Sequence, residues 1–350
     1  MRPLSRRALG PLTGAAALAL AGCGASEAVP AQSTATAGEG RTRYPLVLRN
    51  GEREVRFEKA PERVVSLDQG STEILLSLGL ADRVVGTASW TDPVLDSVAA
   101  ENERVPRLAD NAPTYEVVLG ADSDLVTASF GRHFAEQGGV VTRDRLAETG
   151  IASYLSPTDL DDGRSVNGVT KTRTAPLTVD ALFTEIRELA QVFDVTQRGE
   201  ALVADLQRRA AEAVDGVDFG GRTVAFWFAN LDTPYVAGGR GAASLLATST
   251  GLRNVFADQA EDWPSVSWEY VVAADPDVLV LGDLRRDRFP GDRLPDKEEF
   301  LRTDPVAGVL SAAQGQRYVA LHGAELNPSI RYVDGLAKLG AWWREHGSEL

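Results

Sequence analysis

The residues able to do chemistry in this chain are aromatic and polar side chains scattered at the ends of predicted strands. Gln69, Trp90, Phe130, Arg132, Trp227 and Tyr235 each follow or close an apolar run, and Trp263, Asn327 and Arg331 occupy similar loops. Broad apolar faces with a few hydrogen-bond donors suit a bulky, partly apolar ligand held without covalent chemistry. Catalytic patterns are missing. There is no Gly-x-Ser-x-Gly elbow and no Walker loop, and His133, His322 and His346 lack the i, i+4 spacing of a helical metal site. Gly239-Arg240-Gly241-Ala242-Ala243-Ser244 holds only a fragment of a dinucleotide fingerprint and reads as a tight turn before a helix. Asp287, Asp292, Asp296, Glu298 and Glu299 lie in a stretch rich in Pro and Gly and read as a solvated loop. No catalytic residue, resident metal or cofactor is expected.

Elements that position these residues follow from periodicity. Asn50-Gly51 separates two short runs as a hairpin turn. Val64 to Leu67, Val84 to Gly86, Leu125 to Ala128 and Ile151 to Leu155 read as buried strands alternating with helices, which predicts a parallel α/β sheet. A second alternating unit opens at Thr223 to Phe228 and continues through Val278 to Leu281 and Tyr318 to Leu321. Between them, Val179, Leu182, Phe183, Ile186, Leu189, Ala190 and Phe193 form a helical stripe, and Thr196 is placed as the cap of a further helix to Val214. In open α/β sheets ligands sit beyond the carboxyl ends of strands, which is where the aromatic residues fall.

An internal repeat links the two units. Residues 115–126, YEVVLGADSDLV, align without a gap on 268–279, WEYVVAADPDVL, pairing Glu116 with Glu269 and Asp124 with Asp277. Both read as helix, acidic turn and buried strand, so the two halves look like copies of one architecture.

The chain begins with Arg2, Arg6 and Arg7 followed by a small, apolar run that ends in Leu20-Ala21-Gly22-Cys23. This reads as a signal peptide over 1–22, too short and too interrupted to stay as a spanning helix. Cys23 is the only cysteine, so no intramolecular disulfide can form. Residues 23–43 are rich in Ala, Gly, Ser and Thr and read as a flexible tether with a reach of roughly 25 Å. The formal charge of −14 and the lack of a basic stripe argue against nucleic acid as a partner. Expected boundaries are an N-terminal lobe over 44–175, a connecting helix over 176–195 and a C-terminal lobe over 196–350.

The leader resembles that of bacterial lipoproteins, which implies a lipid on Cys23 and attachment to the outer face of a cell membrane. From about Arg63 to Trp343 the chain resembles class III periplasmic binding proteins of ABC importers, in their iron-siderophore and cobalamin branch. The resemblance is carried by Arg63-Val64-Val65-Ser66-Leu67, Leu78-Gly79-Leu80-Ala81-Asp82-Arg83, Trp263-Pro264-Ser265, Ala274-Asp275-Pro276-Asp277 and Asn327-Pro328-Ser329-Ile330-Arg331. It implies two Rossmann-like lobes joined by one long rigid helix, with a ligand cleft between them. It also implies a monomeric receptor rather than an enzyme, its partners a permease dimer with ATPase subunits. Glu116 and Glu269 match the family's permease-docking glutamates. The implied cargo is a ferric siderophore or related iron complex, with a corrinoid or haem as alternatives. The tract from Ser156 to Thr174 departs from the family pattern.

Overall fold

Val64-Val65-Ser66 and Leu125 to Ala128 carry no charged side chain on either face, the signature of strands covered on both sides. In the computed structural model, which describes residues 39–347, they pair side by side in parallel. The leader and Cys23 lie outside the described residues.

A hairpin of β1 (Leu46–Asn50) and β2 (Arg53–Phe57) precedes the first lobe. Five parallel strands then form the first sheet: β3 (Val64–Ser66), β4 (Val84–Ala88), β5 (Arg107–Ala109), β6 (Leu125–Ala128) and β7 (Ala152–Leu155), in the order β5-β4-β3-β6-β7. A two-residue ribbon follows, β8 (Leu160–Asp161) against β9 (Arg164–Ser165). The second lobe is built on β10 (Thr223–Ala229), β11 (Tyr235–Val236), β12 (Arg253–Asn254), β13 (Val278–Asp283) and β14 (Tyr318–His322). Its order is β11-β10-β13-β14, with β12 also on β10; only β11 runs antiparallel. In each sheet the chain first builds to one side of the opening strand and then crosses to the other. This leaves a switch point between β3 and β6 and another between β10 and β13, the places where such sheets bind ligands.

The repeated segments occupy equivalent places at these switch points. Helices Tyr115–Gly120 and Trp268–Ala274 are each capped by a hydroxyl, Thr114 to the Val117 amide and Ser267 to the Tyr270 amide. Each helix gives way to a left-handed aspartate, Asp122 (φ 51°) and Asp275 (φ 35°). Two residues on, Asp124 accepts from the Glu62 and Arg63 amides at 2.8 and 3.0 Å, while Asp277 accepts from the Thr223 amide at 2.8 Å. Both carboxylates thus pin the start of the neighbouring strand, β3 or β10.

The apolar stripe forms the helix Val179–Val192, and the next helix is Thr196–Val214. They fold back on each other as a helical hairpin, with Arg187 paired to Glu200 at 2.9 Å. A Cβ on Gly199 would lie 2.5 Å from that of Ala190, so only glycine permits this approach. Leu182, Phe183 and Ile186 belong to the same buried cluster as Ile74 and Leu75 of the first lobe and Val224 and Phe226 of the second. One continuous core therefore runs through both lobes and the hairpin.

Three expectations need correction. Thr196 opens its helix rather than capping it; Val195 holds the cap position, and the Thr196 hydroxyl makes no hydrogen bond. The β1–β2 turn is centred on Gly51 and Glu52, since Asn50 pairs with Arg53. Asn50 is instead buried, its amide donating to the Leu155 carbonyl and accepting from the Leu155 amide, at 2.7 and 2.8 Å. The tether expected to reach residue 43 stops earlier. Asp194 accepts from the amides of Gly40, Arg41 and Thr42 at 2.8 to 2.9 Å and so pins this stretch to the bend between the two helices. Asp194 itself sits at φ 57°.

Glu185 yields a test of this hairpin. It is buried, one carboxylate oxygen accepts from the Ser156 hydroxyl at 2.5 Å, and the other has no partner. Burial pushes its pKa up to about 8; the Ser156 bond opposes this, and the negative charges of Asp68 and Glu188 add to it. A raised folded pKa means the group's contribution to stability is complete below the unfolded value near 4.5 and is lost as pH rises towards 8. Stability should decline over that window with a limiting slope of about 1.4 kcal/mol per pH unit from this residue. Glu185→Gln should remove that share of the decline between pH 6.5 and 8, read by urea unfolding at several pH values. Equal slopes in both proteins would refute the assignment.

Candidate functional site

The carboxyl ends of the two sheets face one cleft. Asp68 organises its floor on the first lobe: one oxygen accepts from the Ser71 amide at 3.1 Å to cap the helix Gln69–Ser77, and the other accepts from the Ser129 amide at 2.6 Å. The ends of β3 and β6 are thereby tied together beneath the cleft. Past β4, Trp90 donates from Nε1 to the Thr87 hydroxyl at 3.0 Å, and the Arg107 guanidinium rests 4.4 Å from the centre of its ring. Beyond β6, Arg132 stacks on Phe130 at 4.0 Å. On the second lobe Trp263 packs against Phe228, ring centres 4.6 Å apart, at the end of β10.

The Arg132 side chain is exposed at the surface of the cleft. Lost hydration is the first cause that lowers its pKa; Asp68 and Asp159 oppose this, and Arg286 of the other lobe pushes in the same direction as burial.

Both ends of the cleft are bridged. At one, Glu73 is wholly buried and receives both Nε, at 2.9 Å, and Nη2 of Arg331, whose Nη2 also donates to the Pro93 carbonyl at 2.5 Å. Burial opposes the charge on Arg331, but Glu73 outweighs it and holds the arginine pKa above its ordinary value. Asp92 continues the seam, accepting from the Ala324 amide at 2.8 Å. At the other end the unusual tract from Ser156 to Thr174 leaves β7 and reaches the second lobe. There Thr172 bridges to Glu261, and buried Arg173 grips Asp262 through two bonds of 2.7 and 2.9 Å.

Beside the first of these bridges a cavity of about 510 Å³ opens next to Trp90, lined by Arg107, Arg285, Arg286, Arg288 and Arg293. Four of these come from the loop after β13, at the switch point of the second lobe. Asp292, read as part of a solvated loop, is in fact buried: it accepts two bonds of 3.0 Å from Arg286 and the amides of Arg288 and Phe289. It is the centre around which the arginine loop folds.

The expected ligand residues divide. Trp90, Phe130, Arg132 and Trp263 lie at strand ends on the cleft, as described. Tyr235 is exposed on the short edge strand β11, bridged to Ser265. Asn327 lines only a narrow crevice with Leu177, Leu182 and Tyr332. Three are committed elsewhere. Trp227 is 1% exposed, edge-on to Trp268 at 4.7 Å, and donates to the Ala229 and Asn230 carbonyls. Gln69 spends its amide on Glu73, Pro93, Thr91 and Asp92. Arg331 belongs to the ion pair with Glu73. The cleft arginines at 107, 285, 286, 288 and 293 were not anticipated; the alternation of arginine and aspartate from Asp283 to Asp296 was the available signal.

Glu116 and Glu269 are both fully exposed, each in the first turn of its repeated helix. Their carboxylates are held below the usual range first by their own backbone amides and then by the capping hydroxyls of Thr114 and Ser267. Among the described residues no group of His, Cys, Asp and Glu is arranged to hold a metal ion, and no helix is long and apolar enough to cross a membrane.

A family model described as periplasmic binding protein matches residues 64–324. A cobalamin-binding protein of Halobacterium salinarum is 25% identical over 290 residues, covering 81% of this chain and 70% of that protein. Among solved structures, an ABC-type Fe3+-hydroxamate transport protein from Saccharomonospora viridis superposes with a TM-score of 0.71 at 26% identity, covering 86% of this chain and 99% of the other. A periplasmic binding protein from Veillonella parvula gives a TM-score of 0.72 at 22% identity, covering 85% and 96%.

Proposed function

Since the chain belongs to the periplasmic binding protein family, as a class III substrate-binding protein of ABC importers rather than an enzyme, we propose that it captures a ferric siderophore or related iron complex and delivers it to a membrane permease. The observation that carries this reading is the cavity in which Trp90 and Arg107 of the first lobe meet four arginines from the switch-point loop of the second. A chelate has the matching form, with apolar faces for Trp90, Phe130 and Trp263 and polar oxygens for the arginines. The solved relative of the Fe3+-hydroxamate type supports iron cargo, and the cobalamin-binding relative keeps a corrinoid as the second reading.

Delivery follows from Glu116 and Glu269. They are ionised, exposed and lie in matching helices of the two lobes, so each could meet one subunit of a two-fold permease. The importer would comprise that permease dimer with its ATPase subunits, and the receptor would act as a monomer outside the cytoplasm, lipid-anchored through Cys23. Holding the receptor at the membrane raises its effective concentration at the permease.

Titration of the purified chain with ferric siderophores, followed by tryptophan fluorescence, tests cargo capture. Saturable quenching at one complex per chain is the expected outcome, as Trp90 and Trp263 border the cleft. Saturation by cobalamin with no response to the ferric panel would overturn the iron assignment, and time-dependent conversion of the ligand would overturn the receptor reading.

A further inference from the structure

We propose that the cleft selects a polyanion: an iron complex whose outer surface carries carboxylate or catecholate oxygens, seated between Trp90 and the arginine loop. This rests on the receptor reading above and narrows its cargo class. The chain carries a formal charge of −14, yet the cavity beside Trp90 is lined by five arginines against two aspartates, Asp92 and Asp110. One of those aspartates is already engaged, since Asp92 accepts from the Ala324 amide, the Thr91 hydroxyl and the Arg285 amide. Two of the arginines form no ion pair among the described residues, whereas Arg285 and Arg293 pair with Asp283 and Arg286 with Asp292. Arg107 makes no hydrogen bond or ion pair among the described residues; it rests on the Trp90 ring, and the Asp110 carboxylate favours its charge. Arg288 donates to the main-chain carbonyl of Asp110, a neutral acceptor.

An excess of cations in a concave, partly desolvated site focuses the field on whatever enters. Arginine in place of lysine matters too, for its planar fork matches two oxygens of a carboxylate or catecholate at once. The loop that presents these groups is anchored at its base. Buried Lys297 donates to the carbonyls of Phe228, Gly282 and Gly291 at 3.1, 2.5 and 2.5 Å, fastening the far side of the loop to the ends of β10 and β13.

The test compares binding of ferric citrate and a ferric tris-catecholate siderophore with that of uncharged ferrichrome and cyanocobalamin, using the full chain. The anionic complexes should bind at least about tenfold more tightly at low salt, and the advantage should shrink as ionic strength rises. Arg107→Glu and Arg288→Glu should each weaken the anionic complexes by roughly tenfold, with an unchanged melting temperature because both side chains are exposed. Equal or tighter binding of a neutral complex, or indifference of the anionic ones to both charge reversals, would overturn the polyanion assignment and leave the receptor reading standing. Failure of every complex to bind would overturn the receptor reading itself, and this inference with it.

Discussion

Uptake of cargo by cells should fall to background, roughly a hundredfold or more below wild type, when Glu116 and Glu269 are both replaced with arginine. Cargo affinity of the purified double variant should stay within about twofold of wild type, because neither residue approaches the cleft or lends its side chain to the core. Both carboxylates are exposed and held ionised by the first turns of their helices. Their replacement therefore reverses charge at a contact surface without emptying a buried site. Like charges set against each other across an interface oppose docking directly, and two such contacts act together. Single variants should show intermediate uptake. Normal uptake in the double variant would remove these residues from the docking surface, whatever their helices gain from them.

The second large effect concerns the seam. Arg331→Ala should destabilise the protein by about 3–5 kcal/mol, since it leaves Glu73 as an uncompensated buried charge. For a chain of this size that is a drop in melting temperature on the order of 10 °C. Because one core runs through both lobes, the loss should appear as a shift of the main transition rather than as a separate lobe melting early. Glu73→Gln with Arg331→Met should recover much of the loss, as replacing both partners removes the stranded charge. A ligand role for Arg331 predicts the opposite pattern: weakened cargo binding with little change in melting.

The seam also bears on motion. Glu73 with Arg331 at one end and Arg173 with Asp262 at the other hold the lobes together, while the hairpin from Val179 to Val214 runs through their shared core. Wide hinge opening would break two buried ion pairs, so cargo exchange is expected to need only small displacements near the arginine loop.

Much of the scaffold was legible because parallel strands covered on both faces read as apolar runs. Leu125 to Ala128 matches its strand residue for residue, and the runs at Val64, Val84, Thr223, Val278 and Tyr318 mark strands that begin at those residues. The strands that went unread, Arg107–Ala109, Tyr235–Val236 and Arg253–Asn254 at sheet edges and the ribbon Leu160–Asp161 with Arg164–Ser165, have two or three residues each, too short to show a period. At the site, the rule that ligands gather at strand ends located the cleft and misjudged single side chains. Trp227 and Phe228 are neighbours on one strand and point to opposite faces. Phe228 meets Trp263, whereas Trp227 turns into the core against Trp268 and Phe300. Arg331 was misread because its partner Glu73 lies 258 positions away and nothing local announces such a pair, and Gln69, one turn before Glu73, is drawn into the same buried network. The cleft arginines escaped notice because alternating arginine and aspartate cancel in any charge count, and only folding sorts them into buried anions and cavity-facing cations.

The central claim is that this cleft holds an iron complex for delivery. Native mass spectrometry with visible absorption, on protein isolated from its own cell under iron limitation, tests it most directly. The account predicts one iron chelate per chain, with a charge-transfer band that disappears when the complex is stripped. A bound corrinoid would contradict it, as would an empty chain that then takes up none of the ferric complexes offered.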